Sequence, residues 1–275
     1  MSKVSIIAEL GINHNSSLDL TKQLINAAKV AGCDYVKFQK RTPSLAVPES
    51  QRNLIRKTPW GEMTYLEYKE RMEFWEKEYN EIDEYCKFIG IKWFASVWDL
   101  KSVDFMKQYT DIVKIPSALI TNHELLKYSR DNFEFMIIST GMSTEQEVQE
   151  AIKIGNPDVV MHTNSSYPSK LEELNLNYIK WLQDKYPSKI FGYSMHNFGL
   201  GATFAAVGLG IEWLEFHLTL NREMWGSDQS SSVEPVGAIK LVKGVRDIEK
   251  ALSIPYGPRK CLGAEKEKRL SLRGV

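Results

Sequence analysis

Two lysines, two histidines, a glutamate and a set of serines stand at or near the ends of short apolar runs, where side chains are free to do chemistry. Glu9 follows the run 4–8, and Lys37 and Gln39, two residues apart, share one side of the run that begins at Tyr35. Lys114 ends a later run with Ser117 just beyond it, Ser139-Thr140-Gly141 ends the next, and His162 through Pro168 follow another. Ser194 and His196 are two apart at one run's end, and Glu215 and His217 are two apart on the last. Imidazoles at neighbouring strand ends make His196 and His217 a candidate pair of metal ligands. Lys37 and Lys114 are candidates to meet a phosphate or carboxylate, and Ser96, Ser117, Ser139, Ser165 and Ser194 would surround such an anion with hydroxyl donors. For any one of these serines taken alone, capping a helix is the better reading. Five of them with two lysines at one rim point to an anion site. His14, His123 and His162 receive no role, and His123 reads as a helix-start residue.

The elements that would hold these groups alternate regularly. Strands are expected over 4–8, 35–39, 92–97, 111–115, 135–139, 159–162, 190–194 and 213–218. Helices are expected over 17–31, 100–108, 123–130, 144–154, 176–185, 201–208 and 236–252. Residues 41–63, rich in Pro, Arg, Lys and Ser, read as one long loop. Residues 65–89 read as one charged amphipathic helix ended by Gly90, with Tyr68, Met72, Trp75, Tyr79, Ile82 and Cys86 at spacings of three and four. Eight strand-helix pairs imply parallel strands with right-handed crossovers and a closed (β/α)₈ barrel, a TIM barrel of the α/β class. A doubly wound open sheet is the alternative, since periodicity does not show closure. In a barrel of this kind the carboxyl ends of the strands carry the active site.

Composition limits the partners. The 275 residues with 43% hydrophobic content suffice for a full core. Thirty-five basic residues balance 35 acidic ones, so no overall field favours nucleic acid or an anionic membrane. With no leader-like start and no run of about eighteen apolar residues, the chain is expected to be soluble and cytoplasmic. Cys33, Cys86 and Cys261 are odd in number and unevenly spaced, which fits a reducing compartment and structural roles.

Ala8 through Asn15, followed by Asp34 through Gln39, resembles the opening of the sialic acid synthases, which condense phosphoenolpyruvate with N-acetylmannosamine or a related sugar. The resemblance continues in the family's order through Phe94 to Asp99, Lys114 to Ser117, Ser139 to Met142, Tyr167-Pro168, Gly192 to His196, Glu215 to Leu220, Gly226-Ser227-Asp228 and Glu234-Pro235. It implies that Glu9 is the catalytic carboxylate and that His196 and His217 bind a divalent ion of the Mn²⁺ type, with Mg²⁺ or Co²⁺ as alternatives. It implies that Lys37, Ser96, Lys114, Ser117, Ser139, Ser165 and Ser194 hold phosphoenolpyruvate, and that Gln39, Tyr167 and Asp228 contact the sugar. The products would be a nonulosonic acid and phosphate, by C–O cleavage.

The chain departs from that family where members often carry Asp before the first metal histidine, a basic residue before the second, and His and Lys in the late loop. Here those places hold Met195, Phe216, Gln229 and Ser230. They lie near the sugar and bear on which acceptor is used. Residues 1–255 are expected to form the barrel, and 256–275 resemble the linker to a small antifreeze-like domain that the chain is read as lacking. A homo-oligomer or a separate small-domain chain is therefore an expected partner, and Trp60 or Trp225 is expected to cover the sugar in place of that domain. Two other readings stay open. One is a synthase of 3-deoxy sugar acids acting on an aldose phosphate, with Lys40-Arg41-Thr42 serving the second phosphate; the other is a barrel that binds sugar without turnover.

Overall fold

The computed structural model describes residues 3–274. The first half of the chain forms β1 (Ser5–Gly11), α1 (Leu18–Ala31), β2 (Tyr35–Lys40), the short helices α2 (Pro43–Ala46) and α3 (Glu49–Arg52), and an antiparallel hairpin of β3 (Ile55–Thr58) and β4 (Gly61–Thr64). Then come α4 (Tyr65–Met72), α5 (Glu76–Ile89), β5 (Lys92–Val97), α6 (Leu100–Met106), β6 (Ile112–Ile115), α7 (His123–Asn132) and β7 (Phe135–Ser139). The remainder is α8 (Glu145–Gly155), β8 (Val159–Thr163), α9 (Asn177–Lys185), β9 (Ile190–Met195), α10 (Gly201–Gly208), β10 (Trp213–His217), α11 (Pro235–Ala251) and α12 (Ala264–Arg273). Eight parallel strands close in the order β1-β10-β9-β8-β7-β6-β5-β2, with β2 returning to β1. The chain is a (β/α)₈ barrel, as the alternation of elements implies.

Strand geometry separates the two faces of this sheet. Outward residues such as Ile6, Val36, Val113 and Leu214 join Leu24, Leu125, Ile179 and Leu241 of the helices in the main core. Inward residues change character along each strand. At the amino ends they are apolar: Ile7, Phe94, Ile137, Val159, Met161 and Trp213 form a separate cluster. Tyr35 and Phe135 each pack on Trp213 at 5.3 Å between ring centroids and plug that end. Gly192 is required in this plug, because a Cβ there would stand 2.8 Å from the Trp213 carbonyl oxygen and 3.1 Å from Met161. Two residues further along, the inward positions become Glu9, Lys37, Ser96, Ser139, Thr163, Ser194 and Glu215. The period of two thus delivers every polar group to the carboxyl end of the barrel.

Two expectations fail between 41 and 89. The expected loop 41–63 contains α2, α3 and the β3–β4 hairpin. The expected helix 65–89 is two helices, because the chain is extended at Glu73 and Trp75. Glu73 turns inward, where its Oε1 accepts hydrogen bonds from Lys40 Nζ at 3.0 Å and from the Arg41 amide at 3.1 Å, and Lys40 also donates to the Phe74 carbonyl at 2.9 Å. A buried lysine thereby gains a counter-ion and two acceptors, which a continuous helix would not supply. Glu78 accepts the Trp75 amide at 3.0 Å and restarts the helix.

Beyond α11 the chain is solvent-exposed from Leu252 to Gly274, apart from half-buried Cys261. Cys33 and Cys86 are buried free thiols, each pushed up to about 12 chiefly by burial, which suits structural roles. Among the described residues no helix is long and apolar enough to cross a membrane.

Candidate active site

At the carboxyl end the inward residues surround a cavity of about 220 Å³. Two ion pairs form its floor. Lys37 Nζ lies 2.5 Å from Glu9 Oε2 and donates to Ser96 Oγ at 2.9 Å, while Gln39 Nε2 donates to Glu9 Oε1 at 2.9 Å. Lys114 Nζ lies 2.6 Å from Glu215 Oε1, which also accepts from Ser194 Oγ at 3.1 Å. The pairs are coupled, since Lys37 Nζ is only 3.8 Å from Glu215 Oε2. All four charged groups are at most 3% exposed. Burial would raise the Glu215 carboxyl, but Lys114 and Lys37 outweigh it and hold it down at about 2. Burial draws the Lys114 ammonium below its ordinary range, and Glu215 opposes that shift. Two lysines against two glutamates leave the floor without excess charge.

An aromatic trio lies on one side of the cavity. The His196 and His217 ring centroids are 5.3 Å apart, and the Tyr167 ring is 4.1 Å from the first and 5.6 Å from the second. His196 Nδ1 lies 2.6 Å from the Asn164 carbonyl oxygen, so that nitrogen carries the proton and Nε2 presents a lone pair. The Tyr167 hydroxyl donates to that lone pair at 2.9 Å. Burial, and then the neighbouring His217, push His196 down to about 3, so the imidazole is neutral near pH 7. Burial, followed by the charges of Asp228, Glu215 and Glu9, pushes the Tyr167 phenol up, so it stays a hydroxyl donor.

The serines complete the rim. Ser139 Oγ is buried with no hydrogen-bond partner, and Ser117 Oγ accepts the Gly141 amide at 3.1 Å. Gly141 is the residue that lets this rim close, because a Cβ there would come within 2.1 Å of Ser165 Oγ and 2.9 Å of Ser117 Oγ. Glu9, Lys37, Gln39, Ser96, Lys114, Ser117, Ser139, Ser165, Tyr167, Ser194, His196 and His217 all line this one cavity. Asp228 stands beside it, its Oδ2 3.7 Å from His217 Nδ1. Trp60 and Trp225 do not line it. Their rings pack edge to face at 5.8 Å, with Tyr68 against Trp225 at 5.4 Å, in a cluster that covers Ile12 and Met72.

Six lining residues carried no role in the sequence reading, and three of them shape the site. Glu215 is the hub of the floor, and its alternation with His217 was the signal for it. Trp98 forms a wall beneath the Arg41 guanidinium, 4.7 Å from its ring centroid. Thr163 donates to the Ser194 carbonyl at 2.8 Å and so fixes the neighbouring strand end. His162, by contrast, points away and bonds the Leu174 carbonyl at 2.7 Å. His14 stacks on Phe74 at 4.3 Å, and burial followed by the charge of Arg41 pushes it down to about 3.

The two histidines fit a divalent ion. His196 is neutral, with an Nε2 lone pair that accepts the Tyr167 hydroxyl and that an ion could take in its place, and His217 Nδ1 is buried without a hydrogen-bond partner. Among the described residues no group of three His, Cys, Asp or Glu side chains is gathered as a ready-made metal cage. The donor set is thus two imidazoles beside a cavity, which leaves further positions to substrate oxygens or water.

Residues 24–255 match the model of the NeuB family. The chain is 36% identical over 257 residues to N-acetylneuraminate-9-phosphate synthase of Homo sapiens, covering 91% of this chain and 71% of that protein. It is 33% identical over 262 residues to N,N'-diacetyllegionaminic acid synthase of Campylobacter jejuni, covering 92% and 78%. Its fold superposes on the N-acetylneuraminic acid (sialic acid) synthetase of Leptospira borgpetersenii with a TM-score of 0.86 and 30% identity, covering 99% of this chain and 93% of that one.

Proposed function

The chain belongs to the NeuB family and is a transferase-type enzyme, and from that premise we propose that it condenses phosphoenolpyruvate with the open-chain aldehyde of an N-acetylmannosamine-type amino sugar, yielding a nonulosonic acid and phosphate. The observation that carries this reading is the meeting of Glu9, Lys37, Lys114, Glu215, His196 and His217 around one cavity. In the reaction C3 of phosphoenolpyruvate forms a bond to the aldehyde carbon. Water adds at C2, and the C2–O bond breaks to release phosphate.

Lys37 and Lys114 bind and orient the phosphate and carboxylate of phosphoenolpyruvate, assisted by hydroxyls of Ser96, Ser117, Ser139, Ser165 and Ser194. Glu9 stands by C2, where it stabilises the cationic character that follows carbon-carbon bond formation and accepts a proton from the added water. Tyr167, a hydroxyl donor beside both imidazoles, orients the aldehyde oxygen, and Gln39 and Asp228 hold the sugar hydroxyls. His196 and His217 would hold a divalent ion of the Mn²⁺ type, with Mg²⁺ or Co²⁺ able to replace it. Such an ion supplies Lewis-acid polarisation of a bound oxygen.

The test is phosphate release from phosphoenolpyruvate with Mn²⁺ and a panel of N-acetylated sugars and aldose phosphates. Release that depends on an N-acetylated acceptor supports the reading. Release with simple aldose phosphates alone would move the chain to the 3-deoxy sugar acid reaction.

A further inference from the structure

The Gln39 side chain stands between two groups that leave it a single orientation. Its Nε2 donates to Glu9 Oε1 at 2.9 Å, and its Oε1 accepts from the Arg41 guanidinium. A guanidinium only donates and an ionised carboxylate only accepts, while an amide donates at its nitrogen end and accepts at its oxygen end. Turning the amide over would set its oxygen against the Glu9 carboxylate and its N–H groups against Arg41. The two neighbours therefore assign the amide, nitrogen toward Glu9. Gly11 leaves room for this contact, because a Cβ there would stand 3.1 Å from Glu9 Oε1 and 3.2 Å from Gln39 Nε2.

Arg41 is itself held in place. Its guanidinium lies over the Trp98 ring at 4.7 Å, its Nε is 3.6 Å from Glu73 Oε2, and its backbone amide donates to Glu73 Oε1 at 3.1 Å. Glu73 is anchored in turn by Lys40 Nζ at 3.0 Å. Arg41 and Glu73 are buried and do not line the catalytic cavity, whereas Gln39 and Glu9 do. The arginine is thus spent on Glu73 and Gln39, and it reaches the catalytic carboxylate only through the amide. A lysine in its place would bring one nitrogen where the guanidinium brings separate ones to Gln39 and to Glu73.

We propose that Arg41 is a positioning residue for Glu9: it locks the Gln39 amide, and the amide together with Lys37 sets the plane of the carboxylate. Each Glu9 oxygen has its own donor, Lys37 Nζ 2.5 Å from Oε2 and Gln39 Nε2 on Oε1, so loss of either frees the group to turn. Without Arg41 the Gln39 oxygen loses its partner and the side chain is restrained at one end only. Misplacing a catalytic group by about 1 Å can lower a rate on the order of a hundredfold. The second hydrogen of Nε2 remains for an acceptor oxygen, so the same lock orients the amide toward the sugar. This rests on the condensation reading above and adds to it a residue outside the cavity.

The experiment is a double-mutant cycle of R41M and Q39L in the full chain, with Mn²⁺, phosphoenolpyruvate and the N-acetylated sugar that the wild type turns over best. Alone, R41M should lower kcat at least tenfold while KM for phosphoenolpyruvate changes less than twofold. In the Q39L background the same substitution should change kcat less than twofold, because Arg41 acts through the amide. R41K keeps a cation beside Glu73, so the cycle repeated with it reads loss of the fork alone if R41M lowers the melting temperature. A loss of equal size with and without Gln39 overturns the positioning role. So does a loss confined to KM for the sugar in both backgrounds, which would mark direct contact between Arg41 and the acceptor. Crystal structures add a readout free of turnover: Gln39 should leave Glu9 in R41M, and an unmoved Gln39 overturns the proposal. Absence of phosphate release from the wild type with every sugar would instead overturn the condensation on which the role of Glu9 rests.

Discussion

Lys114 shows how one residue serves both stability and binding. It is buried against Glu215, so Lys114→Met leaves a carboxylate in the barrel interior with Lys37, among the described residues, as the lysine still within ion-pair distance. Breaking a buried pair from one side costs about 3–5 kcal/mol, whereas removing both charges is often nearly neutral. Denaturant unfolding should therefore show K114M strongly destabilised and the double variant K114M/E215L largely recovered, while neither condenses substrate at the wild-type rate. If residual turnover in K114M is measurable, KM for phosphoenolpyruvate should rise far more than KM for the sugar; equal rises would remove Lys114 from the phosphoenolpyruvate site. The histidines make the opposite prediction. His196→Ala and His217→Ala should lose turnover and weaken Mn²⁺ binding by calorimetry while keeping the wild-type melting temperature within a few degrees, because groups at the carboxyl end of barrel strands serve function more than stability. Either variant retaining full activity in metal-stripped buffer would refute the assignment. Twelve of the residues singled out in the sequence line the cavity, because period-two alternation and strand ends are both readable without coordinates. The role of Glu215 was not readable, because it depends on the distance across the barrel from Lys114, 101 positions away.

At the scale of elements, the segment between β2 and β5 departs most from the sequence reading, and the reason is local. Met72, Trp75 and Tyr79 keep helical spacing straight through the break, so periodicity alone draws one helix over 65–89. The break is imposed from outside the segment, by the need of Lys40 for a carboxylate. Residues 41–63 are missed for a related reason. Two helices of four residues each and a hairpin of four-residue strands are too short to display a period, and only Thr64 with Glu67 gives a legible signal, a capping box at the start of α4. Glu73 is thus the pin that fixes α4 to the barrel. Glu73→Ala should cost about 3–5 kcal/mol by leaving Lys40 buried and unpaired. It should also raise amide hydrogen exchange selectively between α2 and α4. Exchange unchanged there, with uniform destabilisation elsewhere, would show that the segment is held by the Trp60, Trp225 and Tyr68 cluster instead.

For the whole molecule, strict alternation of strands and helices made the barrel legible, but closure depends on contacts between the two ends of the chain. The seam between β1 and β10 is tied on its amino side by α11. Arg246 donates to the Val4 carbonyl at 2.8 Å and to Asp34 Oδ2 at 2.7 Å, and Glu249 accepts the Val4 amide at 2.6 Å. The exposed tail contributes nothing to this seam, so we propose the barrel as an independent unit over 1–255: a chain ending at 255 should match the unfolding free energy of the 275-residue chain within about 0.5 kcal/mol. Asp34 provides the acid-sensitive part of the closure. Burial would raise its carboxyl, but hydrogen bonds from Lys3 and the Ile6 amide, with the charge of Arg246, outweigh it and hold it below its ordinary value of 3.8. A carboxyl that is lowered on folding contributes stability that is complete above its unfolded pKa and is lost as pH falls through the lower folded value. Unfolding free energy should therefore decline as pH drops below about 5, and Arg246→Ala should lower it near neutrality by on the order of 1 to 2 kcal/mol, discounted for the partial exposure of the pair. Below the folded pKa of Asp34 that carboxyl is protonated in both proteins, so the gap between wild type and R246A should narrow with acidification. A gap that stays constant through the whole acid range in which Asp34 protonates would mean that Arg246 acts through the Val4 carbonyl, and that Asp34 plays no part in closing the barrel.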